Sequence, residues 1–243
     1  IPMTVRAHSF EFTDSIVAQT LAIPQLERLY LFPHLARLVN HPKVVALPVA
    51  FDSIRYPGMA QGKDRRLALR LGAGLPTKRL GDFFRVSELE PRYRYVAGIA
   101  SCDPSGAVAD QLQRDNPKAK VSVFKNVGWE AASQLTRRAG VFIHTYDQAA
   151  HPFGMPMSIA EALSTGSVVF TRDSMAAREF ASDAAFYYND PAEVAATMAQ
   201  ILDWSEETWA RQSQRAVMQA SLYRDNVVLP RVLHDWEQLL ERR

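Results

Sequence analysis

From residue 66 onward, short apolar runs alternate with stretches whose apolar residues recur at helical spacing. The runs Leu67–Leu71, Tyr93–Ala97, Val121–Phe124, Val141–His144, 167–170 and Ala185–Tyr188 read as strands. Between them, helices are predicted over Lys78–Leu89, with Leu80, Phe83, Phe84 and Val86 on the inner side, over Ala107–Gln113 and over Trp129–Arg138. Further helices are predicted from Ser158 to Leu163, near 174–181, and from Asp190-Pro191 to about Leu202, where Pro suits the first helical position. Ser158 and Glu161 stand three apart before an apolar run, the capping-box spacing, and Gly166 ends that helix. Residues 205–243 read as helical, with Trp204, Trp209, Leu222, Val232 and Trp236 available to pack. Such alternation predicts an α/β fold: a doubly wound parallel sheet with right-handed crossovers, helices on both faces and helices at the C-terminus.

The first fifty residues are patterned differently. Met3–Arg6 reads as a strand ending near His8, residues 25–39 as a Leu-rich amphipathic stretch interrupted by Pro33, and Val44–Leu47 as a short strand before Pro48. The pattern fits both the tail of a preceding domain and a small helical cap on a single domain.

In the doubly wound strand order 3-2-1-4-5-6, the first and fourth strands are neighbours and ligands bind where their outgoing loops part. Those loops are Gly72–Lys78 and Tyr146–Met157, so two unrelated sequence features fall on one crevice. Gly72 and Gly74 allow close backbone approach to a pyrophosphate, and Lys78 supplies a point charge; a turn glycine and a solvated lysine fit the same residues. In the second loop, a Pro-Phe-Gly turn leads through Met155 into a helix N-terminus, which offers N–H groups to an anion. Glu161, one turn in, has the wrong charge for a phosphate and the right one to accept hydrogen bonds from ribose hydroxyls, although a plain helix cap explains Ser158 and Glu161 equally.

Composition narrows the picture. With 243 residues, 47% of them hydrophobic, the chain can bury one substantial core and a smaller appendage. A net charge of +2 gives no footing for nucleic acid. The single cysteine, Cys102, excludes an intramolecular disulfide framework and fits a reducing compartment. No apolar run reaches transmembrane length and the N-terminus has no signal-peptide layout, so the expectation is a cytoplasmic protein with no integral membrane segment.

The stretch 151–170 resembles the donor-binding signature of the retaining GT-B-fold glycosyltransferases of family 4. Phe153-Gly154, Glu161-Ala162, Gly166 and the strand 167–170 carry the resemblance, which extends over about residues 40–240. Two departures stand out: His151 occupies the place of the first Glu of the family's pair, and two extra residues lie between Gly154 and Ser158. In the loop after the first strand the family's Arg position is Ala73, while Lys78 keeps its register and Arg79 is a substitute whose side chain need not face the crevice.

The resemblance implies retaining transfer of a sugar from a nucleoside diphosphate sugar to a hydroxyl acceptor, whether glycan, lipid-linked or small molecule, with no cofactor and no bound metal. It leaves room for peripheral membrane association. It implies Lys78 and His151 as catalytic groups and Gly72, Gly74, Phe153, Gly154, Met155, Ser158 and Glu161 as donor-binding residues. It divides the chain into a remnant of an N-terminal acceptor domain (1–50), a nucleotide-sugar domain (51–203) and C-terminal helices returning toward the acceptor domain (204–243). The chain is then expected to be a fragment, inactive alone. A GT-B nucleotide-sugar epimerase and a non-catalytic nucleotide-sugar-binding module share the same features.

Other residues carry less. His144 and His151 lack a third metal ligand, and Cys102 has no close basic neighbours to make it reactive. Glu179 reads as structural. Trp129, after Asn126-Val127-Gly128, borders the crevice and fits either a base pocket or a core position at a helix start.

Overall fold

The computed structural model describes residues 3–6, 13–100, 107–146 and 156–241. Two parallel sheets organise them. The smaller holds β1 (Met3–Arg6), β2 (Leu26–Leu31) and β3 (Val44–Ala46) in that order, with α1 (Asp14–Leu21) and α2 (Pro33–Ala36) in the connections. The larger contains β4 (Asp64–Gly72), β5 (Arg94–Ile99), β6 (Val121–Lys125), β7 (Ala139–His144), β8 (Val168–Arg172) and β9 (Ala185–Tyr188). Its spatial order is β6-β5-β4-β7-β8-β9, all parallel, which counted from β4 is the doubly wound order 3-2-1-4-5-6.

Crossover helices α3 (Leu80–Leu89), α4 (Ala107–Asp115), α5 (Trp129–Arg138), α6 (Met157–Ser164) and α7 (Met175–Ala181), with α8 (Pro191–Ile201) after the last strand, cover both faces, followed by α9 (Glu206–Ser221) and α10 (Asp225–Glu241). The period-2 geometry of a strand divides the central residues between two cores. Leu67, Leu69, Phe142 and Val169 face one, and Ala68, Val141, Ile143, Val168 and Phe170 face the other. Each fully buried aliphatic or aromatic side chain here contributes about 1.5–3 kcal/mol relative to exposure.

The helices stop and start for local reasons. Ser174, Asp190 and Ser205 cap α7, α8 and α9 by accepting from the backbone N–H of Ala177, Ala192 and Thr208. Gly166, at φ +80, turns the chain from α6 into β8. Below the sheet, Lys63 Nζ lies 2.7–3.1 Å from the carbonyls of Thr136 and Ala139 and from the hydroxyls of Thr165 and Ser167. That cage ties the end of α5 and the start of β7 to the turn between α6 and β8.

Four expectations need correction. Residues 25–39 form no continuous amphipathic element: Leu26–Leu31 is a strand, and Pro33 opens α2 at its first turn rather than interrupting a helix. Short Leu-rich runs do not separate the two readings by periodicity. Helix α3 begins at Leu80, because Arg79 takes a left-handed conformation (φ 41) and leaves Lys78 in a separate 3₁₀ turn, Pro76–Lys78. Ser158 and Glu161 form no capping box, since Pro156 is the N-cap of α6 and no side chain caps it. Trp209 is buried, but Leu222 and Trp236 are exposed over about half their surface.

α10 lies on the smaller sheet, where Val228 packs with Tyr30 and Leu47 and Asp235 accepts from Arg28 Nε (3.1 Å) and the Tyr30 hydroxyl (2.6 Å). The segment between the sheets is held to the α9–α10 junction by backbone bonds from Phe51 to Tyr223 and from Asp225 to Phe51. Among the described residues, no helix is long and apolar enough to cross a membrane.

β4 and β7 approach closely at Gly140. A Cβ placed on Gly140 would lie 2.6 Å from both Arg65 Cα and the Asp64 carbonyl oxygen, where the register between the two strands shifts. Gly140→Ala is expected to destabilise the fold by about 3 kcal/mol, at the upper end for overpacking. Gly128→Ala, which meets open space but replaces the N-cap of α5, is expected to cost no more than about 1 kcal/mol. Urea unfolding midpoints of the two variants check this.

Candidate functional site

β4 leads its crossover to one side of the sheet and β7 leads its own to the other, so their outgoing loops diverge. A cavity of about 590 Å³ opens there. Its walls are the carboxyl ends of β4 (Arg70 to Ala73, with Lys78), β6 (Asn126 to Gly128) and β7 (His144 to Tyr146), the starts of α5 and α6, and Tyr56.

On the β4 side, Gly72 lies at φ +146, a conformation that costs an L side chain strain. Lys78 places its ammonium 3.8 Å from the centre of the Tyr146 ring, a cation–π contact that fixes the charge beside the β7 loop. The Thr145 hydroxyl donates to the Lys78 carbonyl at 2.5 Å and so joins the two loops. Pro156, Met157 and Ser158 line the wall at the N-terminus of α6.

Glu161, further along α6, also lines the cavity and is hydrogen-bonded to the hydroxyl of Tyr56, which is only 2% exposed. Burial pushes the Glu161 carboxyl up to about 7, against the Tyr56 hydrogen bond and the Arg55 charge, which lower it. His144 is uncharged: burial first, then the charges of Lys78 and Arg70, depress its imidazole to about 3, and its Nδ1 lies 3.2 Å from the Thr171 hydroxyl. On the far wall, Asn126 adopts a left-handed φ of 53, a conformation Asn tolerates. Trp129 stands at the first turn of α5, 72% exposed, with the Arg55 guanidinium 5.6 Å from its ring.

The structure therefore brings Gly72, Lys78, Ser158 and Glu161 to one cavity. Gly74 is in the same loop but is buried away from the lining. Ala73 lines the cavity, and Arg79 pairs instead with Asp82 (3.1 Å). Trp129 is a helix-start residue on the cavity rim rather than in a core. Glu179 pairs with Arg37 at 2.9 Å. His151, Phe153, Gly154, Met155 and Cys102 lie outside the described residues. Among the described residues, no group of three His, Cys, Asp or Glu side chains is placed to hold a metal ion.

Two cavity residues escaped the sequence reading. Tyr56 precedes the large sheet and gave no signal. Arg70 did: it is a lone charge between Leu69 and Leu71 in what reads as a central strand, immediately before the glycine loop.

This architecture is that of solved glycosyltransferases. No family profile matches the chain and no curated protein matches it in sequence. Structural similarity is extensive. A glycosyltransferase from Rickettsia africae ESF-5 superposes with a TM-score of 0.81 at 11% identity, over 99% of this chain and 71% of that one. Anabaena HepE in complex with UDP and glucose gives 0.76 at 14% identity, over 98% and 71%. The pneumococcal O-GlcNAc transferase GtfA in complex with UDP and GlcNAc gives 0.74 at 10% identity, over 98% of this chain but 53% of that one. At such identities the likeness establishes the shared Rossmann-like fold.

The Glu161 carboxyl provides a direct check on this electrostatic arrangement. A carboxyl whose folded pKa is raised stabilises the fold fully below its unfolded pKa, near 4.5, and loses that contribution as pH rises through about 7. Glu161→Gln removes the titration. Urea midpoints should show the variant gaining on the wild type between pH 5 and 8, by up to about 3 kcal/mol at one pKa unit per 1.4 kcal/mol.

Proposed function

We propose that the chain binds a nucleoside diphosphate sugar in this cavity and supplies the donor site of a retaining glycosyltransferase of the GT-B, family 4 type. The observation that carries the reading is what one cavity at the sheet's switch point brings together. Lys78, the Gly72 turn and the N-terminus of α6 line it, and so does the buried carboxyl of Glu161. The first set suits a diphosphate, and Glu161, steadied by Tyr56, suits the 2′- and 3′-hydroxyls of a ribose.

Asn126, Val127 and Trp129 are assigned to the base. The UDP in the HepE and GtfA complexes makes UDP the first nucleotide to test. His151, Phe153, Gly154 and Met155, in the same connection between β7 and α6, are retained as sequence-based members of the site, with His151 beside the transferred sugar. The same reading assigns residues 51–203 to the donor domain, residues 1–50 to an acceptor domain, and 204–243 to helices that return to it.

In transfer, the bond from the anomeric carbon to the diphosphate oxygen breaks and negative charge gathers on the leaving diphosphate. Cations and N–H groups already aimed at that position stabilise this charge without reorganising. Lys78 and the first turn of α6 provide such groups from this chain's own residues, so the reading needs no metal. A hydroxyl acceptor takes the sugar.

Calorimetry with UDP and uridine separates the roles. Glu161→Ala is expected to weaken UDP and uridine alike by about 1.5–3 kcal/mol, the scale for hydrogen bonds to a charged group. Lys78→Ala is expected to weaken UDP by about the same amount and leave uridine unchanged. Unchanged UDP affinity in Glu161→Ala contradicts the ribose assignment, and no wild-type binding of any nucleoside diphosphate contradicts the whole reading.

A further inference from the structure

Arg70 is the least expected residue of the large sheet. It occupies the same strand face as Ala68, which packs into the core, yet it carries a full charge and is only 2% exposed. Among the described residues its hydrogen-bond partners are neutral oxygens: Nη1 donates to the Gly72 carbonyl (3.0 Å), Nη2 to the carbonyls of Ala73 (3.0 Å) and Lys78 (3.3 Å), and Nε to the Thr145 hydroxyl (3.4 Å). An arginine so deeply buried among neutral acceptors costs desolvation that hydrogen bonds to carbonyls only partly offset. Burial accordingly lowers its pKa to about 10. Such a charge has a natural complement in an anion brought to the cavity it lines.

The geometry supplies the link. In a planar trans peptide the C=O and the following N–H point in opposite directions. Drawing the carbonyls of Gly72 and Ala73 onto the guanidinium therefore sends the N–H groups of Ala73 and Gly74 away from it. The Lys78 carbonyl is held twice, by Arg70 and by Thr145, which sets where the Lys78 ammonium emerges beside Tyr146. Lysine cannot reproduce this arrangement, because its single ammonium lacks the planar fork that reaches separate carbonyls.

We propose that Arg70 is the positioning residue of an anion site: it fixes the Gly72–Lys78 loop in its binding conformation and places a buried positive charge beneath the diphosphate. This rests on the nucleotide reading only in naming the anion a diphosphate. Inorganic pyrophosphate tests the anion site by itself.

The experiment measures affinity for pyrophosphate, UDP and uridine in wild type, Arg70→Gln and Arg70→Lys, with thermal melts on each protein. Arg70→Gln is expected to lose about tenfold or more in pyrophosphate and UDP affinity while uridine stays within about twofold. Arg70→Lys is expected to recover part of that loss, and the dependence of pyrophosphate binding on NaCl is expected to be shallower in Arg70→Gln than in either cationic form. Equal UDP and pyrophosphate affinity in wild type and Arg70→Gln overturns the proposal, and so does a parallel fall in uridine, which marks a purely structural role. If Arg70→Gln does not fold, Arg70→Lys decides by the same comparison: pyrophosphate weakened with uridine intact supports the proposal, and no change overturns it. Wild-type binding of pyrophosphate with no gain from the nucleoside overturns the nucleotide reading and leaves the anion site standing. No wild-type binding of either anion overturns both.

Discussion

The pairing of β4 with β7 is the constraint on which the rest of this structure depends. These two parallel strands lie side by side at the centre of the large sheet, buried on both faces, with Gly140 giving the room for their closest approach. Their crossovers leave in opposite directions, so among the described residues no helix covers the ends of both, and a crevice opens at their carboxyl ends. The cavity, the cations at its floor and the carboxyl on its wall all occupy that opening. The Lys63 cage at the other end of the same strands holds the arrangement from below.

Charge in the crevice is segregated. Arg70 and Lys78 concentrate positive potential around the β4 loop, strongly enough to help keep the buried His144 imidazole neutral. Glu161 sits apart, on α6, where desolvation raises its carboxyl pKa and Tyr56 and Arg55 restrain the rise. Tyr56 also connects the site to the rest of the molecule: its segment is tied through Phe51 to the α9–α10 junction, and α10 rests on the smaller sheet.

The sheet was legible in the sequence because parallel strands buried on both faces read as apolar runs, and 67–71, 141–144 and 167–170 are such runs. From those runs and the doubly wound order came the expectation that the two loops share a crevice, and their described ends, Gly72, Ala73 and Lys78 with Tyr146, Pro156 and Met157, do line one cavity. Lys78, Gly72, Ser158 and Glu161 were legible for the same reason: their positions follow from loop order, not from side-chain geometry. What failed depended on backbone detail. Ser158 and Glu161 carry capping-box spacing, but Pro156 takes the cap, and the residue that positions Glu161 is Tyr56, about a hundred residues away in sequence. Arg79 looked available to the crevice until its left-handed backbone turned it toward Asp82. Leu26–Leu31 was merged into one amphipathic stretch because a short Leu-rich run has no decisive period. Arg70 was the missed signal that was present in the sequence: a charge inside a buried strand needs a partner, and here the partners are backbone oxygens of the adjoining loop.

The central claim is that the crevice between the β4 and β7 loops is a nucleoside diphosphate site. A crystal structure of the chain grown with saturating UDP tests it most directly. The account predicts density for the diphosphate between the Gly72–Lys78 loop and the first turn of α6, with the ribose hydroxyls on Glu161 and the base against Asn126 and Val127. UDP bound elsewhere, or a crevice empty at a concentration where UDP demonstrably binds in solution, would contradict it.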